Sequence, residues 1–210
     1  MNLNEKQTRE KYKVFYGRNV EQMELLIKDK RVPLTMKQII ERRLNSKQDD
    51  WRHNYFNTCD LIVQYKGKIK IVKSCDILKK MNKNTKLTNG GIKLSLKQYK
   101  ELNGKEFDKS KLILNRWLTR KEADKHPIWK YLLGEHLLDY VKLIFFEEEK
   151  AMGVYIIDEE LFARAWYVGR TGGRSDVVGW YDLDDGYGRF AGLASEMLDK
   201  KDTQSGEKEQ

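Results

Sequence analysis

The sequence predicts an α+β protein, with a basic, mainly helical N-terminal part carrying one β-hairpin and then a small Gly/aromatic-rich β module. Three observations predict it. Residues 19–45 place apolar side chains at three- and four-residue spacing, the period of helices with one buried face. Residues 61–73 hold a β-rich run and then alternate charged and apolar, on either side of a Lys66-Gly67 turn, as strands of a hairpin do. Eight of the fifteen glycines fall within 153–192, a density that reads as tight turns between short strands.

The elements follow in order. Residues 1–18 are polar with Tyr12, Phe15 and Tyr16 scattered among them, and read as a partly ordered segment. Asn19 caps a helix whose face carries Val20, Met23, Leu26 and Ile27. Asp29 to Leu34, with Pro33, is a connection, and Thr35 with Gln38 forms a capping box for a second helix bearing Met36, Ile39, Ile40 and Leu44. Residues 46–58 read as irregular, with Trp51, Tyr55 and Phe56 as anchors. After the hairpin, Ser74 opens a short helix, Ile92–Leu94 is a brief strand, and Ser95 with Gln98 and Thr119 with Glu122 are further capping boxes. Pro127 starts another helix, and 135–148 is the best helix of the C-terminal half. Residues 152–158 and 162–169 read as two strands. The domain reading is 19–150 as a basic α-rich unit, 151–198 as an acidic β-rich module that packs with it or stands apart, and 199–210 as a disordered tail.

Composition narrows the function. The polar N-terminus has no apolar leader run, and Leu143 to Phe146 is far too short to span a bilayer. Cys59 and Cys75 suit reduced, buried thiols better than a disulfide framework, so the expected location is cytoplasmic, with no membrane contact. Charge is divided unevenly: residues 1–130 hold 32 Lys+Arg against 15 Asp+Glu, and residues 131–210 hold 9 against 17. Such a split points to a polyanion met by the N-terminal part, and the preferred reading is a non-enzymatic protein associated with DNA or RNA through backbone contacts. The candidate contacts are Lys37, Arg42, Arg43 and Lys47 on and beyond the second helix, and Lys66, Lys68 and Lys70 on the hairpin. A helix-turn-helix is disfavoured because the six-residue connection holds a proline. Lysines on a strand also guard sheet edges against aggregation. A further alternative is an interaction or structural component, with the acidic module docking a protein partner or another copy.

One pattern suggests chemistry. Gly153-Val154-Tyr155 is followed, after eleven residues, by Tyr167-Val168-Gly169. Two strands bearing such triplets resemble the opening hairpin of GIY-YIG nucleases. The resemblance covers under twenty residues. It implies metal-dependent phosphodiester cleavage, with Tyr155 and Tyr167 as the triplet tyrosines, Arg170 or Arg174 neutralising charge, and Glu196 as the metal carboxylate. Arg170 and Arg174 precede the place of the family's arginine, in a Gly-rich loop where the family has a helix.

Other patterns lead nowhere. His53, His126 and His136 sit at no metal spacing with either cysteine. Asp182, Asp184 and Asp185 before Gly186 read as a turn, because a Ca²⁺ loop needs its glycine one position later and a Glu at position twelve. Gly169 to Gly173 lacks the Lys-Ser/Thr of a phosphate loop. The sequence therefore predicts no metal site and no cofactor.

Overall fold

The structure, a computed structural model, describes residues 11–46, 49–146 and 148–197. The expected tail 199–210, Lys47 and the first ten residues lie outside them.

The chain opens with β1 (Tyr12–Tyr16), α1 (Asn19–Lys28), β2 (Arg31–Pro33), α2 (Met36–Asn45) and α3 (Asp49–His53). The central hairpin β3 (Phe56–Tyr65) and β4 (Lys68–Val72) precedes α4 (Asp76–Lys79), β5 (Ile92–Lys93), α5 (Leu96–Glu101) and β6 (Lys105–Asp108). Next come β7 (Trp117–Thr119), α6 (Arg120–Ala123), α7 (Pro127–Leu133) and α8 (Leu137–Ile144). Four strands close the fold: β8 (Lys150–Tyr155), β9 (Phe162–Val168), β10 (Ser175–Val178) and β11 (Arg189–Ala194). All three capping boxes form, with each Ser or Thr hydroxyl accepting from the N3 amide and each N3 side chain accepting from the cap amide.

Eleven strands join one mixed sheet whose main path runs β1-β11-β3-β9-β10-β8-β7. β4 extends from β3 and carries β6, while β2 pairs with β11 and β5 with β9. This corrects the predicted architecture: the N-terminal part is not mainly helical with a small hairpin, but contributes most of a large sheet. The physical reason lies in β3. Nine of its ten residues are buried, because the sheet is covered on both faces. Leu61 and Val63 enter a core with α1 and α4, and Ile62 enters the other with α2, α7 and α8. A strand buried on both sides shows no clean apolar–polar alternation.

β3 also hides behind polar letters. Asn57, Thr58, Asp60 and Gln64 are all buried, and distant groups bond three of them, although Gln64 Oε1 has no partner among the described residues. Asp60 accepts from the amides of Met36 (2.7 Å) and Ser74 (2.9 Å). Asn57 accepts from the amide of Arg189 (2.9 Å), and Gln64 donates to the Ile157 carbonyl. Read locally, these residues signal loop; only their long-range partners make a strand of them. Each fully buried Leu, Ile or Phe of the two cores contributes about 1.5–3 kcal/mol relative to exposure, an upper estimate.

Among the described residues, no helix is long and apolar enough to cross a membrane.

Candidate functional site

Five tyrosines from four separate segments meet at one end of the sheet. Tyr16 ends β1, Tyr55 precedes β3, Tyr167 lies in β9, and Tyr181 and Tyr187 lie in the β10–β11 loop. Tyr55 stacks on Tyr167 with ring centroids 5.3 Å apart, and Tyr167 meets Tyr181 at 4.6 Å. The Tyr55 hydroxyl donates to the Tyr187 carbonyl at 2.7 Å and lies 3.4 Å from the Tyr16 hydroxyl. Tyr55, Tyr167, Tyr181 and Tyr187 frame a cavity of about 330 Å³, completed by Asn19, Asn57, Asp182, Asp185 and Gly188.

The loop that carries Tyr181 and Tyr187 is pinned between them. Leu183 is fully buried, its amide donates to the Gly90 carbonyl (2.8 Å), and its carbonyl accepts from the Val20 amide (3.1 Å). Gly17 donates to the Gly188 carbonyl at 2.9 Å. Arg164, itself buried, reaches from β9 to Asp182 (2.5 Å), Glu159 (2.8 Å) and the Asn89 carbonyl. Gly188 must be glycine: a Cβ there would stand 2.1 Å from Asn19 Oδ1 and 2.4 Å from the Gly17 carbonyl. The scaffold therefore holds the tyrosines in place while leaving their outer faces open, with Tyr187 71% exposed.

Burial, and then the Tyr16 hydroxyl, push Tyr55 up to about 12. Burial also raises Tyr167, with Tyr181 and Asp176 adding to it, and burial raises Tyr181. These three phenols stay neutral at physiological pH, so the face presents uncharged rings with hydroxyl handles.

A second cavity, about 610 Å³, adjoins the first across the stacked Tyr55 and Tyr167. Trp117, Glu148, Arg170, Arg174 and Asp176 line it, under the Gly-rich loop 169–174. Arg174 lies over the Trp117 ring (5.4 Å) and pairs with Glu148 (3.4 Å). Thr171 ties that loop to the Arg52 carbonyl through its amide (2.7 Å) and hydroxyl (3.0 Å). Burial holds the Asp176 carboxyl above its ordinary range. Among the described residues, no group of three or more His, Cys, Asp or Glu is placed to hold a metal ion.

Among the described residues, two of the predicted cationic contacts are buried and the others are engaged with carboxylates or rings. Arg43 is fully buried and donates to the carbonyls of Trp51 (2.9 Å) and Asn54 (2.7 Å) and to the Tyr140 hydroxyl (2.9 Å). Lys70, 6% exposed, donates to the Tyr99 carbonyl (2.9 Å) and pairs with Glu106 (3.2 Å). Lys37 pairs with Glu135 (2.7 Å) and Lys68 with Asp108 (3.1 Å). Arg42 spreads over the Tyr12 and Trp51 rings, at 4.9 and 5.7 Å. Lys66 caps the exposed β3–β4 turn over the Tyr65 ring.

The nuclease pattern also dissolves. β8 and β9 carry the two triplets but do not pair, because β10 lies between them, parallel to β8 and antiparallel to β9. Val178 faces both Tyr155 and Tyr167, which puts the tyrosines two strand spacings apart, about 9–10 Å. Tyr155 packs against Trp117 and Trp180, not with Tyr167. Arg170 lines the second cavity, whereas Glu196 lies in a 3₁₀ turn beside Lys30. That is the far end of α1, whose ten residues span about 15 Å from Asn19.

Sequence reading missed Asn19, Tyr181, Tyr187, Asp182 and Asp185 as one site. The available signal was compositional: tyrosines set among Gly and Asp in 179–188, the mixture binding loops favour.

A large mixed sheet carries pinned loops around an aromatic cleft. The sequence matches no protein-family model, and no curated protein is significantly similar to it. A solved structure described as the accommodation of massive sequence variation in Nanoarchaeota by the C-type lectin fold is similar at TM-score 0.70 and 19% identity. The match covers 89% of this chain and 99% of that one. The chain has the C-type lectin fold. This finding, with the burial of Arg43 and Lys70, overturns the nucleic-acid-binding reading and its nuclease alternative.

Proposed function

We propose that this protein is a non-catalytic recognition module that binds a protein partner through the tyrosine face. The convergence of five tyrosines from four segments onto one pinned surface is the observation that carries it. Tyrosine supplies large contact area at low entropic cost, with an apolar ring and a polar tip, and it is enriched where proteins bind proteins. The two adjoining cavities, ringed by Gly, Asp, Asn and Arg, give the anchor pockets and polar rim of such an interface. The similar structure is described in terms of accommodating sequence variation, and a scaffold with its binding residues on loops outside the core fits that description. The location we propose is cytoplasmic, supported by Cys59 and Cys75, which are buried free thiols.

The test is selection from a displayed protein library on the full chain, with counter-selection on Tyr181→Ala/Tyr187→Ala. Both side chains are partly exposed, so the variant should unfold at nearly the wild-type temperature. Clones should bind wild type at least tenfold more tightly than the variant. Clones that bind both equally would refute the assignment of the face. A glycan-array signal that vanishes in the variant, without protein binders, would replace the protein partner with a carbohydrate.

A further inference from the structure

We propose that the tyrosine-lined cavity takes an organic cation, the ammonium or guanidinium end of a lysine or arginine side chain presented by the partner. The proposal rests on the recognition reading above and names the group that the same site receives.

The walls are the rings of Tyr55, Tyr167, Tyr181 and Tyr187. Aromatic faces carry negative potential and attract cations within about 6 Å of the ring centre. The charged groups that line the cavity, Asp182 and Asp185, are both negative. Arg164 is shared between Asp182 and Glu159, so this trio keeps a net negative charge. Asp185 accepts only a backbone amide, that of Tyr187 at 3.0 Å, and its charge meets no cation among the described residues. Arg189, the other nearby cation, is turned onto Asn54 and the Phe56 ring.

The independent observation is Asn19. It lines the cavity, is 1% exposed, and its Oδ1 has no hydrogen-bond partner among the described residues. A buried acceptor left open is costly; the atom lies beneath the cavity wall against Gly188, so a ligand N–H relieves that cost by drawing the Asn19 side chain round into the cavity. A ligand group that carries positive charge, offers N–H donors and has a methylene stem for ring contact meets all three demands at once. The cavity lies at the lower end of the roughly 300–1,000 Å³ range of ligand pockets, room for one side-chain end but not for a folded segment.

The experiment is an NMR titration of the full chain with Nα-acetyl-lysine methylamide, its Nα-acetyl-arginine counterpart, the neutral Nε-acetylated lysine, and tetramethylammonium. The two cationic amino acids should shift the Asn19 side-chain amide and the tyrosine ring signals, and bind at least tenfold more tightly than the neutral probe. Tyr187→Ala at an exposed position and Asp185→Asn at a half-buried one should each weaken lysine about two- to fivefold, the scale of one exposed cation contact. Equal binding of the neutral probe, or cations that leave Asn19 and the rings unmoved, overturns the proposal. Tetramethylammonium binding as tightly as lysine also overturns it, because that probe has no N–H for Asn19. Library clones separate the two readings: clones that need the tyrosine face but survive loss of every Lys and Arg sink only the cation proposal.

Discussion

Two neighbouring arginines should respond to the same substitution very differently. Arg43→Met removes three buried donors while keeping much of the side chain's volume. The Trp51 carbonyl then faces the interior unpaired, at about 1–3 kcal/mol, and the half-buried Asn54 carbonyl loses its donor at the low end of that range. Tyr140 keeps its bond to Ser175 Oγ (2.7 Å), so it adds little. Methionine packing and relief of the buried charge offset part of the loss, leaving a net cost of about 3 kcal/mol. For a chain of this size, about 2–4 °C per kcal/mol translates that into a Tm lower by about 6–12 °C. Arg42→Met loses mainly contacts over the Tyr12 and Trp51 rings, about 0.5–1 kcal/mol. Arg43 also holds the Asn54 carbonyl beside Tyr55, so its variant should bind partners at the tyrosine face more weakly, and Arg42→Met should not. Thermal and urea unfolding of both variants, each with a partner titration, is the assay. An Arg43→Met protein as stable as wild type, or equal losses for the two variants, would refute the reasoning.

Two further outcomes are expected. Burial raises the Asp60 carboxyl although two amides favour its charge, so the folded state holds that proton more tightly than the unfolded chain. Its contribution is then fully present below the ordinary carboxylate range and declines as pH rises through the raised value. The stability advantage of wild type over Asp60→Asn should be largest below the ordinary carboxylate range and narrow as pH rises above it; urea midpoints that diverge instead would contradict this. Gly188→Ala puts a methyl into Asn19 Oδ1 and the Gly17 carbonyl, and should cost about 1–3 kcal/mol by overpacking. Thermal unfolding checks it, and an unchanged Tm would mean that the loop yields freely.

Local signals in the sequence determined what local physics decides. Thr35/Gln38, Ser95/Gln98 and Thr119/Glu122 cap helices because both partners lie within one turn, and Gly67 suits the positive φ of its hairpin turn, where Lys66 is also held at φ 47°. The segments that became β8 and β9 were legible as strands from their residues alone. Tertiary structure decided which strands are neighbours. It set β10 between β8 and β9, although the triplets on those two strands suggested a hairpin. It also decided which cations are solvated. Arg42 and Arg43 differ by one position on α2, so about 100° of helix rotation lays one half-exposed over the Tyr12 and Trp51 rings and sends the other fully into the core. The candidate site depended on such placement throughout. Tyr55 meets Tyr187 across 132 positions, and Asn19 lies against Gly188 through the pairing of β1 with β11. A contact between residues so far apart leaves no period or spacing in the chain; it exists only once the sheet brings its loops to one end.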